Sequence, residues 1–145
     1  MRTKDFVGKL DHDRIVQAIR EAEGKTSGQI RVYLQRGPLK VDPLFAAQKR
    51  FDALGMRKTR DRNAVLIFVA PRAHRFAVVG DEGIHQKCGD SLWQEVVKRM
   101  GDHFRNERFS EAIVDAIRDL GAVMAAQFPG KGDGPNELPD TVMEG

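Results

Sequence analysis

Residues 61–83 read DRNAVLIFVAPRAHRFAVVGDEG, two β-rich runs joined by a short polar connector. The first run, Ala64 to Ala70, is apolar at every position and is the longest such run in the chain. The second, Phe76 to Val79, follows Pro71-Arg72-Ala73-His74. A connector of that length between two such runs predicts a β-hairpin. A strand that is apolar on both faces predicts a central place in its sheet, with cover above and below.

Working outward, the flanking sequence changes period. Before the hairpin, Ile15, Ala18, Ile19 and Ala22 recur at i, i+3, i+4 and i+7, which predicts a helix over 12–23 with Asp11 as its N-cap and Gly24 as its stop. Residues 29–35 alternate. Ile30, Val32 and Leu34 share one side, and Arg31, Tyr33 and Gln35 share the other, which predicts a strand with one drier face. Asp42-Pro43 then opens a helix over 43–54, with Leu44, Ala47, Phe51 and Leu54 as its buried stripe. After the hairpin, a Gly-flanked piece over 83–89 leads to a helix capped by Asp90 and carrying Trp93, Val96, Val97 and Met100. A last helix, capped by Ser110, carries Ile113, Ala116, Ile117, Leu120 and Met124. The order α-β-α-β-β-α-α predicts an α/β fold in which a mixed, mainly three-stranded sheet containing the hairpin is covered by helices on both faces. Residues 1–129 are expected to form a single domain, and 130–145, rich in Gly, Pro and charge, a mobile tail.

Composition narrows the function. The net charge of +3 is mildly basic and dispersed, unlike the dense Lys/Arg footprint of a nucleic-acid binder. A single cysteine, Cys88, excludes an internal disulfide and a Cys-cluster zinc site. No apolar run approaches the ~20 residues that span a bilayer. The first residues, MRTKDFVGKLDHD, lack the apolar core of a signal peptide, so a cytoplasmic location is expected. No dinucleotide fingerprint, P-loop or nucleophile elbow is present.

The hairpin makes a positional prediction. Its strands run antiparallel, so Asp61 and Asn63 come beside Gly80, Asp81 and Glu82. A right-handed crossover through helix 43–54 brings Thr26-Ser27-Gly28-Gln29 to the same end. Arg36, Lys40, Arg72, His74 and Arg75 gather at the other. Carboxylates and amide oxygens suit calcium or magnesium, so Asp61, Asn63, Asp81 and Glu82 are the candidate metal ligands. Asp and Asn also close turns and cap helices with no ion involved. The connector holding Arg57, Lys58, Arg60 and Arg62 is a candidate for peripheral contact with an anionic membrane, or a solvated loop.

The stretches AEGKTSGQIRVYL, RNAVLIFVAP, RFAVVGDEGIHQKCGD, LWQEVV and GAVMAAQFP together resemble the TPM domain family, in its short bacterial branch that lacks a membrane helix. The resemblance covers roughly residues 10–129. It implies a Rossmann-like, three-layer α/β/α sandwich. It also implies two functional possibilities, since some relatives bind calcium and plant relatives are linked to photosystem II repair and an acid phosphatase activity. Bacterial relatives are often encoded beside membrane proteins, which implies a membrane-protein partner. Asp61, Asn63, Gly80, Asp81 and Gly83 match the family's polar turns. Gln29 stands where many relatives have Glu, and Ala64 where many have Gly, so this chain has one carboxylate fewer at that edge. The expectation is a non-catalytic binding module with a divalent cation site; the alternative is a metal-dependent phosphomonoesterase.

Overall fold

A computed structural model describes residues 11–130 and 142–144. Helix α1, His12–Glu23, begins where the Asp11 carboxylate accepts a hydrogen bond from the Arg14 amide at 3.1 Å. Strand β1, Gln29–Leu34, follows, then helix α2, Pro43–Ala53, capped by Asp42. Strand β2, Ala64–Ala70, and strand β3, Arg75–Gly80, form the hairpin, joined by a 3-10 turn over Pro71–Ala73 that ends with His74 in the left-handed region. Helices α3, Glu82–Cys88, α4, Asp90–Arg105, and α5, Phe109–Gln127, complete the domain.

The sheet order is β3-β2-β1-β4, with β4 formed by Val142–Glu144. Strands β1 and β2 are parallel, with Gln29 beside Ala64, and β2 and β3 are antiparallel, with Val65 beside Gly80. Alternate residues feed two cores. Ile30, Val32, Leu34, Val65, Ile67, Val69 and Val78 pack against α1, α4 and α5. Tyr33, Leu66, Phe68, Ala77 and Val79 pack against Ala47 and Phe51 of α2 and against Met56. The result is the expected α/β/α sandwich, with β2 buried along its whole length. Helices α1 and α5 meet at Gly121, where an added Cβ would stand 2.7 Å from that of Ala22. Hydrogen there lets the helices approach closely.

Five expectations need correction. Leu44, expected in the buried stripe of the helix over 43–54, is 47 % exposed, and only Ala47 and Phe51 of that stripe are buried. Strand β1 has no wetter face: every residue is buried, including Arg31 at 0 % exposure. Helices cover both sides of the sheet, so its guanidinium is neutralised inside, by the Glu23 carboxylate at 2.7 Å and the Gln29 side-chain oxygen at 3.1 Å. Ser110 lies within α5 and does not cap it; its hydroxyl accepts from the Asp11 amide at 2.9 Å and ties α5 to the start of α1. Gly89, with φ of +75°, precedes α4 where Asp90 was expected to cap. Residues Val142–Glu144, part of the expected tail, pair parallel with β1 from Val32 to Leu34. The rest of that expected tail, from 131 to 141 together with 145, lies outside the described residues.

Candidate functional site

The strand register brings three turns to one end of the sheet: 26–29 before β1, 59–63 before β2 and 80–83 after β3. Ser27 and Asn63 join the first two. The Asn63 side-chain nitrogen donates to the Ser27 hydroxyl at 3.1 Å, and that hydroxyl donates to the Asp61 carboxylate at 3.5 Å. Asn63 is buried, its amide donates to the Thr59 hydroxyl at 3.3 Å, and its carbonyl accepts from the Gln29 amide at 3.4 Å. Thr59 is buried too, so this network orders the chain entering β2.

Asp81 and Arg62 join the second turn to the third. The Asp81 side chain is fully buried, and both its oxygens face Arg62: Nε to Oδ2 at 2.9 Å and Nη2 to Oδ1 at 3.0 Å. This is the planar fork that suits guanidinium and carboxylate. Oδ1 also accepts from the Glu82 amide at 2.7 Å, capping α3. The Asp81 hydrogen bonds and charge raise the Arg62 guanidinium above its ordinary value, so it stays cationic across the accessible pH range. Arg57 reaches the same carboxylate from outside at 3.8 Å while also pairing with Asp52. Gly83 allows the two turns to meet. A Cβ there would stand 2.5 Å from the Asp61 carbonyl oxygen and 2.7 Å from that of Arg62. The Gly83 amide instead donates to the Arg62 carbonyl at 2.9 Å.

All four expected ligands sit at this end, in different states. Asp81 is committed to Arg62 and the helix cap. Asn63 is committed to Ser27 and the turn. Asp61 and Glu82 are exposed, with Arg60 Nε 3.6 Å from Asp61 and Arg62 Nη2 3.6 Å from Glu82. Among the described residues, no three His, Cys, Asp or Glu side chains form a group that could hold a metal ion. Within the basic connector Lys58 is exposed. Arg57, Arg60 and Arg62 turn back onto Asp61, Asp81 and Glu82, so three cations and three acids nearly cancel. Sequence reasoning missed Arg62 as the partner of Asp81, although Arg62 lies between the two residues already placed there.

Gln29 is 8 % exposed and points its side-chain oxygen at Arg31. An uncharged acceptor suffices there because Glu23 already supplies the negative charge. Elsewhere, Cys88 lines a small apolar recess with Ile84, Trp93, Val96, Leu120 and Met124, and burial pushes its thiol up. The His103 side chain is 21 % exposed, its Nε2 2.9 Å from the Asp115 carboxylate between α4 and α5.

The model of the TPM domain matches residues 3–123. The NMR structure of the BA42 protein from the psychrophilic bacterium Bizionia argentinensis is similar at 36 % sequence identity, with a TM-score of 0.85 and 92 % of each chain covered. The N-terminal domain of cg2496 from Corynebacterium glutamicum, at 14 % identity, shares the fold with a TM-score of 0.64 over 91 % of this chain and 81 % of that one. So does an N-terminal domain from P. gingivalis, at 17 % identity, with a TM-score of 0.56 over 80 % and 72 %. No curated protein matches the chain in sequence.

Proposed function

The chain belongs to the TPM domain family, and from that premise we propose that it is a non-catalytic binding module that takes a divalent cation weakly at the Asp61–Asp81 end and acts with a membrane-protein partner. The observation that carries this reading is the fork between Arg62 and Asp81. It occupies both oxygens of the one buried carboxylate at this end and leaves Asp61 and Glu82 as the accessible oxygen donors. Calcium would be held by those two carboxylates, with Asp81 joining if Arg62 swings out; Asn63 would order the turn beneath them. Three nearby guanidinia oppose the ion, so the affinity belongs in the weak range of ~10⁻⁴–10⁻³ M. Among the described residues no helix is long and apolar enough to cross a membrane, so a membrane partner would supply its own anchor.

Calcium titration followed by melting temperature tests this. An ion bound only by the native state at about 20 times its Kd adds about 1.8 kcal/mol of stability. Asp61→Asn with Glu82→Gln removes that gain. A melting temperature indifferent to millimolar calcium and magnesium sinks the cation reading.

One observation favours the phosphomonoesterase alternative: Arg57 and Arg62 converge on Asp81, and two guanidinia at one point suit a phosphate as well as a carboxylate. On that reading the ion polarises the phosphoryl group. Hydrolysis of an aryl phosphate would then be abolished both by chelation and by Asp81→Asn; turnover that survives either change rejects it.

A further inference from the structure

The far end of the sheet has the opposite character. Helix α2 leaves from the C-terminal end of β1 and packs against β3, and Ala46 of α2 and Ala73 of the Pro71–Ala73 turn pack on the same apolar cluster. Its inward positions are Ala47 and Phe51. Phe45 therefore faces outward, while Leu44, seven residues before Phe51 on the inward side, is nonetheless exposed in the first turn; Val41, Leu44 and Phe45 are 48 %, 47 % and 48 % exposed, the large exposed hydrophobics among the described residues. Further along the same outer face the residues turn polar, to Gln48, Lys49 and Asp52. The apolar character is thus confined to the tip.

Cations frame that tip. Lys40 adjoins Val41, and the Lys49 ammonium lies 4.9 Å from the centre of the Phe45 ring. Arg72 and Arg75 are exposed on the neighbouring turn and strand start. The acid within the tip, Asp42, uses its carboxylate to accept the Leu44 amide at 3.0 Å. Asp42 keeps its charge in that bond, so Lys40, Lys49, Arg72 and Arg75 against this one acid leave the tip positive overall.

We propose that this tip docks on an anionic lipid bilayer, with Val41, Leu44 and Phe45 entering the headgroup layer and Lys40, Lys49, Arg72 and Arg75 meeting the phosphates. Two features select a bilayer over a protein groove. Three half-exposed side chains offer a few hundred Å² at most, short of the roughly 800 Å² per partner of a specific protein interface. A short apolar tip ringed by Lys and Arg is also the two-signal arrangement by which peripheral proteins hold a membrane, since neither a small apolar insertion nor a few charges suffices alone. The inference uses the opposite end of the sheet from the cation reading, so a failed calcium titration leaves it standing.

Vesicle co-sedimentation of the full chain tests it. Vesicles with about one third phosphatidylglycerol should bind the protein, pure phosphatidylcholine should not, and binding should fall steeply between low and high salt. Leu44→Ser with Phe45→Ser should weaken binding about tenfold or more while leaving the melting temperature and the calcium response unchanged. Lys40→Glu with Arg72→Glu gives a second, independent loss, should the first pair prove poorly soluble. No binding to anionic vesicles, or binding unchanged in both double variants, overturns the proposal. So does a stable dimer in solution that Leu44→Ser with Phe45→Ser dissolves, which would assign the tip to a second copy of this chain.

Discussion

The two ends of the central sheet solve different problems with similar residues. At the end where β1 and β2 begin, three turns meet and are tied by paired polar groups: Arg62 with the buried Asp81, Ser27 with Asn63 and Asp61. At the end where those strands finish, Lys40, Arg72 and Arg75 face solvent beside Leu44 and Phe45. Charge at the first end organises the backbone. The apolar tip at the second end is half in water, and the membrane proposal rests on it.

Gly83→Ala should break this contrast most severely. Its methyl would meet two backbone carbonyl oxygens that belong to an ordered turn and cannot rotate away. A loss of about 3 kcal/mol is expected, read as a fall of roughly 9 °C in thermal melting. Asp81→Ala comes next, removing the α3 cap and the partner of Arg62. The cap alone is worth ~1–2 kcal/mol, and urea unfolding measures it. Asn63→Ala is expected to remove about 1 kcal/mol by unlinking the turns at Ser27 and Thr59; proteolysis within 56–62 should accelerate in parallel. Leu44→Ser with Phe45→Ser should change stability by less than about 0.5 kcal/mol, because both side chains are already half in water. A tip variant as damaging as Asp81→Ala would show that the far end also supports the fold, and the contrast would collapse.

Much of this was legible in the sequence, for identifiable reasons. The period of Ile15, Ala18, Ile19 and Ala22 names the buried face of α1 without knowledge of its partner. The unbroken run Ala64–Ala70 states that β2 has cover on both sides. Hairpin geometry then fixes which residues share an end, and Asp61, Asn63, Asp81 and Glu82 do meet there. The sequence does not state which charges pair across a distance of nineteen residues, so the Arg62–Asp81 fork was hidden although both members were in view. Alternation misled at β1, because Arg31 looks like a solvent residue until Glu23 is seen to reach it from the end of α1. Ser110 has the chemistry of a cap, but its hydroxyl serves a chain segment ninety-nine residues away. Three residues near the C-terminus join β1 because that strand offers an open edge, a fact about topology that Gly- and Pro-rich composition conceals.

The buried contact between Arg31 and Glu23 has a consequence for how the chain finds its alignment. One oxygen of Glu23 accepts from both the Arg31 guanidinium and the Ile30 backbone amide, so it grips a side chain and the main chain of β1 at adjacent residues. A slip of β1 by one position would turn the guanidinium to the opposite face, into the apolar layer where Ile30, Val32 and Leu34 pack, and would break the joint grip of one Glu23 oxygen on residues 30 and 31. An apolar residue at 31 would pass through such an error at little penalty. The arginine works as a frame marker: once the helices cover the sheet, a wrong pairing of the innermost strands leaves a buried charge without its partner.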